Sequence, residues 1–347
     1  MAGFAFHFGA VMIDPSDELL KIFFHEHGIT PPIRIARILG GRNSEVHRVS
    51  NPNGQWILKK YFHQSNDKRD RLGTEFDFLR FLEGSCNNMV ARALGMDRAL
   101  HIALYSPLSG TRPMEITTAH ISQAVNFIKA INLSRNESAA LALPKAADAC
   151  LNLRAHMNLA ASRIERLLAI RPNHDLEMYA YQFIKEKLLP LWLRLKANLT
   201  LRLSPSKIEL PLPIESQIIS PSDFGFHNAL EHQGKLFFLD FEYAGWDDPA
   251  KLVCDFICQP DLPITQIQVK QFINELLPEL PGSKLVEHRV EMLLPVHRLK
   301  WCCILLNEFR IEDRNRRIHA GLGTDGLLSN QLRKAKWYFD TYLEKSY

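Results

Sequence analysis

Residues 33–62, IRIARILGGRNSEVHRVSNPNGQWILKKYF, hold three short runs rich in branched or aromatic residues, broken first by GGRNS and then by NPNG. Glycine, asparagine and proline at those breaks supply the positive backbone angles and preset turns that antiparallel connections require. The segment reads as strand, turn, strand, turn, strand. The following stretch, DKRDRLGTEFDFLRFLEGS, places Leu72, Phe76, Leu79 and Leu82 at helical spacing, so a helix is expected to cross behind these strands. Two more apolar runs, VARALGM (90–96) and LHIALYSP (100–107), complete a five-stranded antiparallel sheet, and SPLSGTRP is a connector.

From about residue 115 the periodicity changes to that of long helices: TTAHISQAVNFIKAINL, AADACLNLRAHMNLAASRIERLLAI and LEMYAYQFIKEKLLPLWLRLKANL. After a loop marked by PSKIELPLPIESQ, the run GKLFFLDFEYAGW resembles a short hairpin. Helical patterns then return in QVKQFINELLPEL, VEMLLPVHRLKWCCILLNEF and LLSNQLRKAKWYFDTYLEK. The expected fold class is α+β and bilobal: a small antiparallel-sheet lobe over residues 1–106 and a larger, mainly helical lobe over 107–347. At 347 residues and 46% hydrophobic content the chain can bury a core of that size.

Charge and composition exclude several classes. A formal net charge of +4 gives no footprint of a nucleic-acid binder. The basic cluster RIEDRNRR (310–317) is interleaved with acids and reads as a solvated helix face with internal ion pairs. A nucleic-acid-binding helical protein would rest on that cluster alone, and salt-dependent retention on DNA would reveal it. Six cysteines show no CxxC pair and lie in apolar runs, as buried thiols in a reducing compartment do. The first residues are apolar but lack a basic start and soon reach Asp14, unlike a signal peptide. No charge-free run is long enough to span a membrane. The histidines show neither HExxH spacing nor a cluster with cysteine, which argues against zinc. A cytoplasmic protein without nucleic-acid or membrane partners is expected.

SPSDFGFHNAL (220–230) is followed closely by LFFLDF (236–241), so an acid, an amide and a second acid lie close together in sequence. Phosphoryl transfer from a nucleotide needs a cation for the phosphates, oxygen ligands for magnesium, and a carboxylate to orient the attacking hydroxyl and take its proton. Asp223 suits the last role, Asn228 and Asp240 suit the magnesium, and Asp240 ends an apolar run where an unpaired carboxylate is costly. Lys59 and Lys60 are neighbours on a strand, and Lys59 is favoured for the cleft because it shares a face with Ile57 and Tyr61.

The DFGFHN run resembles the Dx4N part of the catalytic loop in the aminoglycoside phosphotransferase and choline kinase family, and LDFEYAGWDDPAKLVCDF resembles that family's metal-binding segment and the helix after it. The resemblance covers roughly residues 33 to 310 in order and implies a protein-kinase-like fold that uses ATP and Mg2+. It implies that Asp240 is a magnesium ligand beside Asn228, that Lys59 in WILKKY binds phosphate with Glu75 as its partner, and that GGRNSEVHRV, which contains Ser44, covers the phosphates. YSPLSG resembles the hinge whose backbone receives adenine. Glu75 has a rival role as a partner of Arg71 one turn earlier. Asp255 is expected to support the catalytic loop, and Glu242 and Asp247 either assist Asp240 or face water. One departure stands out: the family's HxDxxxxN pattern has a histidine where this chain has Pro221, and His227 does not replace it in position.

The expected function is an ATP- and Mg2+-dependent small-molecule kinase that phosphorylates a hydroxyl of a sugar, an amino alcohol or an aminoglycoside-like acceptor. A polycationic acceptor calls for a carboxylate-lined site, whereas HRLKWCCILLNEFRIEDRNRR is more basic than acidic and favours a neutral or anionic one. A choline-like acceptor calls for an aromatic cage, with Trp246, Trp301 and Phe309 as candidates if they are not core. The missing histidine motivates an alternative, a kinase-like nucleotide-binding or interaction module that has lost turnover.

Overall fold

The computed structural model describes residues 10–11, 18–38, 44–62, 69–84, 86, 88–314 and 326–344. Strands β1 (Ala10–Val11), β2 (Arg34–Ile38), β3 (Glu45–Asn51), β4 (Gly54–Lys60), β5 (Ala93–Asp97) and β6 (Ile102–Tyr105) form one antiparallel sheet in the order β1-β2-β3-β4-β6-β5. The turn between β3 and β4 is closed by its own asparagine: Asn51 Oδ1 accepts the N–H groups of Asn53 and Gly54 at 2.8 and 3.0 Å. The five strands expected from the sequence are present. A sixth, β1, is two residues long, too short to show an alternating pattern.

Each face of the sheet is covered by a different helix. Helix α1 (Glu18–Glu26) lays Phe23 and Phe24 against Val49, Leu58, Ile102 and Leu104. That helix was not read from the sequence, although Leu20, Phe23 and Phe24 recur at helical spacing. On the opposite face, α2 (Arg71–Leu82) is capped by Asp70, which accepts the Gly73 N–H at 2.9 Å, and it buries Leu72, Phe78, Leu79 and Leu82. Phe76, expected in the core, is only half-buried, and Phe78 packs at 5.0 Å from Phe241. The side-chain period of two puts Lys59, Tyr61 and Tyr105 on the α2 side and leaves Lys60 exposed.

The chain leaves the sheet through residues 106–117. Gly110 has φ +121°, and a Cβ there would lie 2.5 Å from the Glu231 carbonyl oxygen, so only glycine fits this approach. Helix α3 (Thr118–Leu133) opens with a capping box between Thr117 and His120. It is followed by α4 (Ser138–Leu141), α5 (Leu153–Leu168) and α6 (Asp175–Phe183). The helical pattern expected from residue 146 begins only at α5, where Asn152 accepts the Ala155 N–H at 2.8 Å. A π-turn at Ile184–Leu188 joins α6 to α7 (Leu189–Arg202); Pro190 has no N–H for the carbonyl four residues back, and the wide turn falls just before it.

Helix α8 (Pro205–Glu209) leads to two small ladders. β7 (Ile218–Ser220) pairs with β10 (Gly245–Asp247), and between them β8 (Ala229–His232) pairs with β9 (Lys235–Phe238). Gln233 and Gly234, both at positive φ, make the β8–β9 turn, as a two-residue hairpin requires. The expected hairpin is therefore displaced: its first strand is Ala229–His232, within the stretch read as a loop. Helices α9 (Pro249–Cys258), α10 (Gln266–Leu276), α11 (Ser283–Ile304) and α12 (Leu327–Tyr342) complete the fold. The architecture is bilobal, a small antiparallel sheet joined to a larger helical body.

All six cysteines are free and buried, as expected. Among the described residues no helix is long and apolar enough to cross a membrane. Where it is described, the basic cluster is ion-paired, Arg310 with Asp313 at 2.6 Å and Arg314 with Glu177 at 2.9 Å. Residues 315–317 lie outside the described residues.

Candidate functional site

Phenylalanines anchor the loop between β7 and β8. Phe224 and Phe226 turn inward and pack on Phe256 of α9, both at 5.4 Å, and Phe256 stacks on Phe272 of α10 at 3.9 Å. Phe127 of α3 stacks on Phe238 at 4.4 Å. From the same helix the Asn132 amide brackets β7, accepting the Ile219 N–H at 2.9 Å and donating to the Ile219 carbonyl at 3.0 Å. With the aromatic residues of DFGFHN buried, Asp223 and Asn228 remain only partly covered.

Asn228 donates from Nδ2 to the Asp223 carbonyl at 3.0 Å, which fixes the amide and turns its Oδ1 away from that bond. The backbone N–H of Leu239 donates to the Asn228 carbonyl at 2.9 Å, so the residue before Asp240 is tied to Asn228. The hairpin thus brings the two expected metal ligands into neighbouring backbone positions. Asp240 has φ +65° and Ser222, before Asp223, has φ +68°. Such left-handed conformations cost on the order of 1–3 kcal/mol each and gather at functional sites.

Lys59 links the lobes. Its ammonium lies 2.6 Å from Glu75 Oε2, 3.0 Å from Asp240 Oδ1 and 2.9 Å from Glu242 Oε1. Burial alone favours loss of its proton, but Asp240, Glu242 and Glu75 outweigh that and hold its pKa well above the ordinary lysine range. Lys59 is therefore a permanent cation at neutral pH. Glu75 also accepts the Tyr61 hydroxyl at 2.7 Å, and Tyr61 shares a 2.6 Å hydrogen bond with Tyr105. Its other oxygen accepts the Phe241 N–H at 3.3 Å. The rival pairing of Glu75 with Arg71 is not what forms; Arg71 lies 3.6 Å from Glu242 instead.

Ser44, the one described residue of the 40–44 turn, donates its hydroxyl to Glu242 Oε1 at 2.6 Å. The glycines of that turn, the expected phosphate cover, lie outside the described residues. Neither Glu242 nor Asp247 faces water, since both are almost completely buried. Glu75, Asp240 and Glu242 each place an oxygen within 4.8 Å of the others, the one carboxylate cluster among the described residues with metal-binding spacing. Lys59 sits among these oxygens and Arg71 stands 3.6 Å from Glu242, so three carboxylates against two cations leave negative charge to be neutralised. The residues fit a hard cation such as magnesium. Asp240 is about one-third exposed (37%) and uses only Oδ1 in its ion pair, and Asn228 Oδ1 takes no hydrogen bond among the described residues.

Below the site lies a charged network that sequence reasoning missed. Asp247 ends β10 and recurs at four-residue spacing with Lys251 and Asp255 of α9: Lys251 contacts Asp247 at 2.8 Å and Asp255 at 3.5 Å. That regular spacing was the available signal. Asp255 also accepts from Lys300, from Trp301 Nε1 at 2.9 Å and from His297 at 3.0 Å, all on α11. His297 continues to His156 of α5 at 2.9 Å, and His156 to Asp248 at 3.1 Å, where Arg289 also binds. Asp255 thus secures α9 to α11 rather than supporting the catalytic loop directly. Burial opposes the Asp255 charge, but Lys300, His297 and Lys251 hold its pKa well below the carboxylate range, while burial pushes His297 down to about 4. Trp246, Trp301 and Phe309 are all buried, and Trp246 Nε1 donates to the Ala140 carbonyl at 2.9 Å. They are core and cannot form an aromatic cage.

No family model and no curated protein matches the chain. Solved structures do resemble its fold. A choline kinase from Streptococcus pneumoniae aligns with 94% of this chain and 100% of its own at a TM-score of 0.57 and 13% identity. A spectinomycin phosphotransferase, solved in complex with ADP and spectinomycin, aligns with 88% of this chain and 93% of its own at a TM-score of 0.58 and 12% identity. A type I macrolide 2'-phosphotransferase gives 0.54 and 14% over 89% of this chain and 97% of its own. At these identities the likeness establishes a shared bilobal fold.

Proposed function

We propose that this protein is an ATP- and Mg2+-dependent phosphotransferase acting on a hydroxyl of a small molecule. The observation that carries the reading is the cleft constellation: Lys59, braced by Glu75, faces Asp240, and Asp240 lies beside a loop bearing Asp223 and Asn228. The solved structures of this fold include small-molecule kinases and phosphotransferases. Residues 1–106 then form the nucleotide-binding lobe, and residues 107–347 carry the catalytic loop, the metal ligands and the acceptor site.

In this reading the acceptor oxygen attacks the γ-phosphorus of ATP, its proton passes to Asp223, and ADP leaves. The Lys59 ammonium neutralises the phosphates and keeps its charge because the surrounding carboxylates hold its proton. Asn228 Oδ1 and Asp240 would hold magnesium, which when bound offsets the charge on the phosphates. Removing Trp246, Trp301 and Phe309 from the candidates for an aromatic cage disfavours a quaternary ammonium acceptor. Of the described basic residues in 297–317, His297, Lys300, Arg310 and Arg314 are engaged with Asp255, Asp313 and Glu177, so a neutral acceptor such as a sugar suits the reading best.

The test is ADP release from ATP across a panel of sugars, sugar phosphates, amino alcohols and aminoglycosides. Release should rise with a sugar-class acceptor and disappear when magnesium is chelated. No acceptor-dependent or magnesium-dependent release across the panel would contradict the assignment.

A further inference from the structure

His227 immediately precedes Asn228 in the chain, yet its side chain turns back beneath the base proposed above. Its ring is buried, and Nε2 lies 3.3 Å from Asp223 Oδ1. The other ring nitrogen, Nδ1, lies 2.7 Å from Gln259 Nε2 at the end of α9. The orientation of the Gln259 amide is fixed by a third group, because its Oε1 accepts the backbone N–H of Asp261 at 2.7 Å and a backbone nitrogen can only donate. Gln259 Nε2 must then donate, so His227 Nδ1 is the acceptor and carries no proton. The neutral ring has its proton on Nε2, the nitrogen that faces Asp223.

Two further observations bear on this arrangement. His227 Nε2 has no hydrogen-bond partner of normal geometry among the described residues, although an Asp223 carboxylate oxygen stands only 3.3 Å away. A buried donor left in that state is costly, and a small rotation of the partly exposed carboxylate completes the bond. Gly225 provides the room: a Cβ there would lie 2.9 Å from His227 Nδ1 and 3.0 Å from Gln259 Cγ.

We infer that His227 is the positioning residue of Asp223: its ring donates from Nε2 to one carboxylate oxygen and so sets the plane of the base. The relay runs from the Asp261 N–H through Gln259 and His227 to Asp223, and it couples the loop to the end of α9. It approaches the acid from four residues downstream, whereas Pro221 occupies the position two residues upstream. The inference rests on the phosphotransferase reading and deepens it.

The test has two readouts. Long-range proton–nitrogen correlation spectra of protein with labelled histidine rings, assigned with His227→Gln, should show the His227 ring protonated on Nε2, with its signals moving in Asp223→Ala. Phosphate release from ATP with magnesium, water serving as acceptor, should fall by about 10- to 100-fold in kcat for His227→Phe, which keeps a ring but has no donor. The KM for ATP should stay within about twofold, and His227→Gln, whose amide can donate near the Nε2 position, should recover most of the loss. In an Asp223→Ala background, His227→Phe should cause no further loss. A ring protonated on Nδ1, or His227→Phe turning over like wild type, overturns this inference alone. Wild type that neither melts higher with magnesium and ATP nor releases phosphate overturns the reading beneath it. Should His227→Phe fail to fold, the wild-type tautomer still decides.

Discussion

Asp223→Ala is expected to fold, to bind ATP with magnesium as wild type does, and to lose a factor of about 10² to 10⁴ in turnover, the usual contribution of a positioned general base. Folding should survive because the loop is held by other groups. Phe224 and Phe226 anchor it to Phe256, and the Asn132 amide holds β7 at its start. The Asp223 carboxylate itself is about one-third exposed (37%), so its removal opens no large buried cavity. Asn228 hydrogen-bonds to the Asp223 backbone carbonyl, which alanine retains. Nucleotide affinity should survive because Lys59, Glu75 and Asp240 are untouched. Initial rates of ADP release with the best acceptor, measured beside nucleotide affinity, check this. A variant with wild-type kcat would remove Asp223 from the role of base.

The second large effect concerns stability. Asp255→Ala removes the carboxylate that faces Lys300, Lys251 and His297 in a fully enclosed setting. Replacing a buried ion pair as a unit by apolar residues can be harmless, but removing one partner strands the others without their counter-charge. The expected loss is about 3–5 kcal/mol. Against a typical total of roughly 5–15 kcal/mol, that loss should shift the urea midpoint strongly and lower the soluble yield. Asp255→Asn restores a hydrogen-bond acceptor but no charge, and it should fall between alanine and wild type. An Asp255→Ala midpoint equal to that of wild type would show that water reaches this network.

Residues proposed for the chemistry were more legible in the sequence than the groups that hold them. Lys59 could be chosen over Lys60 because strand alternation places one of two neighbours in the cleft, and the structure buries Lys59 and exposes Lys60. Asp240 stood out because a carboxylate ending an apolar run needs a partner, and Lys59 is that partner. Glu242 was harder to read: two residues past Asp240 it could equally have been solvated, and only tertiary folding brings Ser44, Lys59 and Arg71 to it. The position of His227 was misleading. In sequence it lies four residues past Asp223 and does not stand where the family has its histidine, yet the loop brings its ring to 3.3 Å from the Asp223 carboxylate. The network of α5, α9 and α11 joins residues up to 141 positions apart, a relation that no local pattern carries, although the four-residue spacing of Asp247, Lys251 and Asp255 was visible. The β8–β9 hairpin was displaced because Gln233 at positive φ gives a weaker turn signal than glycine or asparagine.

The most direct test of the central claim is a thermal melt of wild type and Asp240→Ala, each with magnesium alone, ATP alone and both together. A ligand at 100 times its dissociation constant adds about 2.7 kcal/mol of stability, enough for a resolved shift. Wild type should be stabilised fully only when both components are present, and Asp240→Ala should lose that joint shift. No shift in wild type, or an equal shift in Asp240→Ala, would contradict a magnesium–nucleotide site built on Asp240.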